Sequence, residues 1–193
     1  MYADQCLSPL ENNRCLGRVC WFHVLLASNC PLKSFMKEVG MSAQRLFETL
    51  VDQKAAVGKP AGLYQPCLVV GGLAYVSGHL PVQPDGSFIL GCLGKELDVE
   101  AGKHAARRAG LASLVTLEQC LGSLDKIARV VKLLGMVSAT HSFTQHPAVV
   151  NGCSELFAEI WGAEKGVGVR SAVGVSSLPA GVAVEIEAVF ELL

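Results

Sequence analysis

The chain has 193 residues, a net charge of −1, 51% hydrophobic residues and only 17% charged residues. This composition excludes a disordered chain and a coiled coil, both of which are rich in charge. The net charge gives no basic footprint for nucleic acid or anionic membrane. The longest dense apolar stretches, residues 19–27 and 67–76, are shorter than the about 20 residues of a spanning helix. We therefore expect the surplus apolar surface to be buried between subunits.

Eight cysteines are spread along the chain, four of them within the first 30 residues. There is no CxxC motif, and Cys15, Cys20, His23 and Cys30 lack the usual spacing of zinc ligands, so no metal site is expected. A chain with this much core-forming material does not need a disulfide framework. We predict a reducing cytoplasmic location, with a mitochondrial one as the alternative.

The first 41 residues differ from the rest, because they are rich in cysteine and show little periodicity. Asp4 and Glu11 stand where a secretory signal would carry basic residues, and they also disfavour a mitochondrial transit peptide. We predict a poorly ordered extension at residues 1–41 and one domain at residues 42–193.

The first part of this domain predicts a short helix and three strands, at residues 42–57, 67–70, 73–77 and 87–93. Gly71-Gly72 between the first two strands is a hairpin signal. Asp98 suits the N-cap of the strongest helix, and Gly122 suits its C-terminal end. A row of alanines between them would let this helix lie close to a sheet.

The second part predicts a buried strand at residues 127–139 and a helix at residues 147–161 with Pro147 in its first turn. A final hairpin is predicted from strands 169–176 and 182–192. The order β-β-β-α-β-α-β-β after a leading helix favours an α+β fold, a single mixed β-sheet with two helices packed on one face.

Strand alternation in the predicted final hairpin groups several polar side chains. A turn near residues 178–179 would put Arg170 opposite Glu187 and Ala172 opposite Glu185, on one non-core face. One interpretation is a cross-strand ion pair on a solvated face. The other is a site, in which the planar guanidinium binds a carboxylate and a glutamate holds water or moves a proton.

Four segments resemble those of the RidA (YjgF) family. The most specific is VRSAVGV at 169–175, followed by LP at 178–179 and VEIEA at 184–188. YVSGHLP at 75–81 is similar to the family's (V/T)SGQ(I/L)P, GLY at 62–64 to its GPY, and residues 143–151 to the start of its F…VN helix. The resemblance covers about residues 60–192 and is strongest to the branch named for endoribonuclease L-PSP or a chorismate-mutase-like domain.

The resemblance implies a chorismate-mutase-like fold, a homotrimer with ligand sites between subunits, and no metal or organic cofactor. It implies hydrolysis of reactive enamines and imines such as 2-aminoacrylate to a keto acid and ammonia. Arg170 would clamp the substrate carboxylate, and Glu185 would position or activate water. The implied substrate-binding residues are Tyr64, Ser77, Gly78, Asn151 and Ala172.

Three positions depart from the family pattern: Ala172 replaces a frequent cysteine, His79 a glutamine and Leu63 a proline. The missing cysteine leaves the preferred substrate open. We expect all of the histidines in this region to be structural or solvated, namely His79, His104, His141 and His146. Two other functions stay open: a non-catalytic, carboxylate-binding regulatory trimer and, less favoured by the charge, an endoribonuclease.

Overall fold

The computed structural model describes residues 40–50, 60 and 62–193. The helices are α1 (Ala43–Glu48), α2 (Val99–Leu121) and α3 (His146–Gly166). The strands are β1 (Cys67–Val70), β2 (Leu73–His79), β3 (Ile127–Ser138), β4 (Val169–Val175) and β5 (Val184–Leu192). The predicted extension at residues 1–41 lies almost entirely outside the described residues, and so does the end of the predicted first helix at 51–57.

Local sequence signals mark the ends of both long helices, as predicted. The Asp98 side chain accepts a hydrogen bond from the backbone N–H of Ala101 at 2.8 Å, and Gly122 ends α2 with a left-handed φ of 78°. Pro147 lies in the first turn of α3. Gly162, with φ 81°, interrupts α3 directly after the predicted end at residue 161.

The sheet order is β1-β2-β5-β3-β4, with β3 and β4 parallel and the other pairs antiparallel. The predicted final hairpin is therefore wrong, because β3 lies between β4 and β5. The connection from β4 to β5 contains a 3₁₀ turn at Pro179–Gly181 and crosses β3 instead of folding back beside β4. The predicted third strand at 87–93 makes only isolated bridges.

Both long helices pack on one face of the sheet, over a core that includes Val76, Val137, Ile186 and Phe190. Glycine lets the layers approach closely, since a Cβ on Gly135 of β3 would overlap the side chain of Val150 in α3. The predicted α+β fold is confirmed.

The other face of the sheet, which we call the open face, carries exposed apolar side chains. They are Leu68, Val70, Tyr75, Val169 and Val173, with exposed fractions of 42–69%. This is more exposed apolar surface than isolated surface residues explain. No helix within the described ranges is long and apolar enough to span a bilayer.

Candidate active site

Arg170 was predicted on a non-core face, but it lies on the helix-covered face of β4. In the sheet register it aligns with Leu133 of β3, which aligns with Ala188 of β5, and both of those residues are buried under the helices. Because β4 is an edge strand, the Arg170 side chain is nevertheless exposed. A small anion can therefore reach its guanidinium.

Helix α3 fixes the orientation of the Arg170 guanidinium. Its Nη1 donates to Asn151 Oδ1 at 2.8 Å and to Ser154 Oγ at 3.0 Å, and its Nη2 donates to the Pro147 carbonyl at 3.3 Å. Asn151 was predicted as a site residue from the sequence, whereas Ser154 was not. The signal for Ser154 was its spacing, because residues three apart share a helix face.

The next residues on the same face of β4, Ala172 and Gly174, form a floor of small side chains. The imidazole of His146 lies over Gly174, since a Cβ there would overlap its Nε2 and would lie 3.1 Å from its Cδ2. Phe143 packs edge-on against this ring, with centroids 5.2 Å apart. His146, expected to be structural or solvated, thus borders the floor beside Arg170.

Glu185 lies on the open face of β5, since it aligns with Met136 of β3 and through it with Val173 of β4. Its carboxylate rests against Gly78, where an added Cβ would overlap Oε1 and lie 2.8 Å from Cδ. Partial burial and, to a lesser extent, the Glu187 carboxylate raise the pKa of Glu185. The group is therefore shifted toward the range in which a carboxylate can act as a base.

Ser77 connects β2 to the segment that carries Tyr64. Its hydroxyl donates to the Gln65 carbonyl at 2.7 Å, and its backbone N–H donates to the Pro66 carbonyl at 3.0 Å. Tyr64 itself is half exposed. The structure therefore gives Ser77 a role in holding the Tyr64 segment beside β2.

His79 is buried and hydrogen-bonded at both ring nitrogens, as expected for a structural histidine. Its Nδ1 lies 2.7 Å from the Ser77 carbonyl, and its Nε2 lies 2.7 Å from the Thr116 hydroxyl. The carbonyl can only accept, so Nδ1 donates and Nε2 of the neutral ring accepts from Thr116. Burial lowers the pKa of His79 and so favours this neutral form.

The predicted site residues thus fall into two sets, with Arg170 and Glu185 on opposite faces of the sheet. We call Arg170, Asn151 and Ala172 the arginine group, and Glu185, Ser77, Gly78 and Tyr64 the glutamate group. The predicted pairs, Arg170 with Glu187 and Ala172 with Glu185, are wrong because β3 separates the two strands. A ligand on Arg170 cannot contact Glu185 of the same chain through the sheet.

Elsewhere on the molecule, a shallow groove of about 240 Å³ lies between α2 and α3. Its charges pair across the two helices, with Lys103 Nζ 2.9 Å from Glu155 Oε1. His104 lines this groove. In the part of the chain that the structure describes, no three His, Cys, Asp or Glu side chains converge as metal ligands would. The early cysteines lie outside that part.

Comparison with known proteins assigns the chain to a family. Residues 46–181 match the family model described as "YjgF/chorismate mutase-like, putative endoribonuclease". This chain belongs to that family. A curated relative, protein TCP17 of Trypanosoma cruzi, is 41% identical over 137 residues, which cover 71% of this chain and 86% of TCP17.

Two solved structures support the assignment to the YjgF family. Atu1372 of Agrobacterium tumefaciens, a protein of unknown function, is 33% identical with a TM-score of 0.69, and the match covers 83% of this chain and 99% of Atu1372. A "putative endoribonuclease" from Shewanella oneidensis is 26% identical with a TM-score of 0.74, over 79% and 100% of the two chains. The resemblance predicted from the sequence and the fold expected from it are therefore confirmed. The family is associated with enzymatic activity, while the reaction of this member is a separate question.

Proposed function

We propose that this chain hydrolyses small imines and enamines that carry a carboxylate, releasing ammonia at a cleft between subunits of a homotrimer. The observation that carries the proposal is the Arg170 guanidinium, which Asn151 and Ser154 hold in one orientation in a residue that stays exposed. A planar guanidinium binds a carboxylate with two parallel hydrogen bonds. The Ala172 methyl group is small enough to leave room for a substrate of a few carbon atoms, whereas the ring of His146 already covers Gly174.

Glu185 supplies the second function that this reaction needs, which is activation of water. Its raised pKa suits a base that takes a proton from water as the oxygen attacks the C=N carbon. The resulting carbinolamine has one new C–O bond. It then loses its C–N bond, so the products are a keto acid and ammonia.

The position of the two groups and the open face both support assembly of several copies of the chain. Because the arginine and glutamate groups lie on opposite faces of one sheet, a complete site requires the glutamate group of a neighbouring chain. The exposed apolar side chains of the open face favour its burial by other copies of the chain. The family resemblance favours three copies.

The proposal is tested by measuring ammonia release from imines that an amino-acid oxidase makes in situ, above the uncatalysed rate. Wild type should accelerate release, and Arg170→Ala should lose most of the acceleration. Arg129→Ala is the matched control, because Arg129 is an exposed arginine of β3 that pairs with Glu191 at 3.5 Å. Equal rates with wild type and with Arg170→Ala would refute the proposed role.

Two other outcomes would identify the alternative functions. Protection of the wild type against thermal unfolding by pyruvate, lost in Arg170→Ala and accompanied by no ammonia release, would indicate a non-catalytic carboxylate-binding protein. Cleavage of single-stranded RNA by wild type but not by Arg170→Ala would indicate the endoribonuclease. The net charge of −1 does not favour that outcome.

A further inference from the structure

His146 is a titratable side chain that the proposed function does not yet use. It is half-buried at the first residue of α3, and its ring lies over Gly174 with Phe143 against its edge. Within the described residues, neither ring nitrogen has a hydrogen-bond partner. This differs from His79, whose two nitrogens are both engaged.

The same helix turn that holds Arg170 also carries His146. The Nη2 of Arg170 donates to the carbonyl of Pro147, the residue that follows His146. Along β4, Arg170 and Gly174 lie about 13 Å apart on one face, at roughly 3.3 Å per residue, and Ala172 lies midway. The Pro147 contact brings the Arg170 guanidinium closer to His146 than this backbone distance, so a carboxylate held there lies at the helix turn that also carries the imidazole.

Neither the arginine group nor Ser154 offers a side chain that readily exchanges a proton with the substrate nitrogen. The guanidinium of Arg170 carries only N–H donors, and Ala172 carries only a methyl group. Asn151 and Ser154 accept hydrogen bonds from Arg170, and an amide or an unactivated hydroxyl does not exchange protons readily. Imidazole can both donate and accept a proton, and it is the most frequent side chain in this role.

We propose that His146 is a further catalytic residue, whose imidazole contacts the substrate nitrogen and exchanges protons with it. This inference rests on the proposed function. It assigns the nitrogen end of the reaction to His146 of one chain and the water end to Glu185 of its neighbour. Gly174 is then required, since any side chain there would displace the ring.

The proton transfers balance as follows. Imidazolium protonates the imine nitrogen, and Glu185 takes a proton from water as the C–O bond forms. Exchange with bulk water then returns a proton to the imidazole and removes the proton from Glu185. Imidazolium protonates the amine of the carbinolamine, and Glu185 takes the hydroxyl proton as the C–N bond breaks and the C=O bond forms. A second exchange with bulk water resets both side chains. The net reaction converts imine and water to keto acid and ammonia, with both side chains restored.

The test compares His146→Gln with His141→Gln in the full-length chain, using the ammonia-release assay. His141 is an exposed residue of the loop that precedes α3, so its variant is the control. We expect kcat of His146→Gln to fall by about 10²–10⁴-fold, the usual contribution of a general acid–base group. KM should change by no more than about twofold, because Arg170 still holds the carboxylate.

A second variant separates proton transfer from a packing role. Added imidazole should restore part of the kcat of His146→Ala and should not change the kcat of Arg170→Ala. Unchanged kcat in His146→Gln, or a loss that imidazole does not rescue while the melting temperature falls, would overturn the role of His146 alone. Absence of ammonia release by wild type would instead overturn the proposed function, and this role with it.

Discussion

Arg170→Ala and Glu185→Gln should each be inactive alone and should restore activity when the two variants assemble together. The reason is the position of the two side chains. Arg170 aligns with the buried residues of the helix-covered face, and Glu185 aligns with Met136 on the open face. Each site must then combine Arg170 of one chain with Glu185 of its neighbour.

The expected magnitude follows from counting sites. In an equal random mixture, a site receives an intact arginine in half of the cases and an intact glutamate in half of the cases. About one quarter of the sites, ½ × ½, are therefore complete in a closed ring of heterologous contacts. Sites within single chains would give none, because every chain lacks one of the two residues.

The assay is ammonia release by assemblies co-expressed at equal levels and purified through one affinity tag that both variants carry, so that the mixture stays random. A second mixture sharpens the test. Wild type mixed equally with the Arg170→Ala/Glu185→Gln double variant should retain about one quarter of the activity if sites lie between chains, and about one half if each chain carries its own. Activity of the first mixture no higher than that of the single variants would refute the shared site.

Three other substitutions test the glutamate group and the helix packing. Gly78→Ala should lower kcat/KM by about 100-fold, because the Cδ of Glu185 would lie 2.8 Å from the new methyl carbon and the carboxylate must move away. A displacement near 1 Å can have an effect of that size. The same substitution in a Glu185→Gln background should lower kcat/KM little further. Glu187→Gln should lower the pKa of Glu185 and shift the acidic limb of the kcat/KM profile to lower pH, since the base must be deprotonated. Gly152→Ala should lower the free energy of unfolding by about 1–3 kcal/mol, measured by denaturant titration, because its Cβ would overlap the carbonyl of Lys103 in α2.

The local features of the fold could be predicted from the sequence, whereas the pairing of the last strands could not. Asp98, Gly122 and Pro147 act within one helix turn, so their signals need no knowledge of the rest of the chain. Alternation within β5 likewise gave its buried and exposed faces, whereas β4 was predicted with Arg170 on the non-core face and has it on the helix-covered face. The pairing of β4 and β5 depends instead on β3, which comes earlier in the chain and lies between them. The residues around 178–181 have the composition of a hairpin turn, so they wrongly indicated that β4 and β5 pair directly.

The sequence predicted which residues are candidates for the site, but it did not predict how they are arranged, because the arrangement also depends on the strand order. Arg170 and Glu185 were identified through the family resemblance, but their separation by the sheet depends on strand order. His146 was missed because its contact with Gly174 joins segments that are distant in sequence. The one local signal was a glycine within a strand, which often marks the close approach of another group.

His79 replaces the glutamine of the family pattern, and it supports the bulge at the end of β2. The register of β2 against β5 is irregular between Val76 and His79, which leaves Ser77 and Gly78 in a bulge beside Glu185. The His79 ring supports this bulge from the core, between the Ser77 carbonyl and Thr116. Protonation would remove the acceptor for the Thr116 hydroxyl, so the lowered pKa of His79 preserves the bulge at neutral pH.

The open face connects the unusual composition to catalysis. Its apolar side chains account for part of the surplus of hydrophobic over charged residues, and Glu185 lies among them. If neighbouring chains cover this face, the event that buries the apolar surface also brings Glu185 toward the Arg170 of another chain. Assembly and activity would then depend on the same contacts. A separated chain would still bind the substrate carboxylate at Arg170, but it would not activate water there. Dissociation by dilution should therefore abolish turnover while each chain keeps its fold.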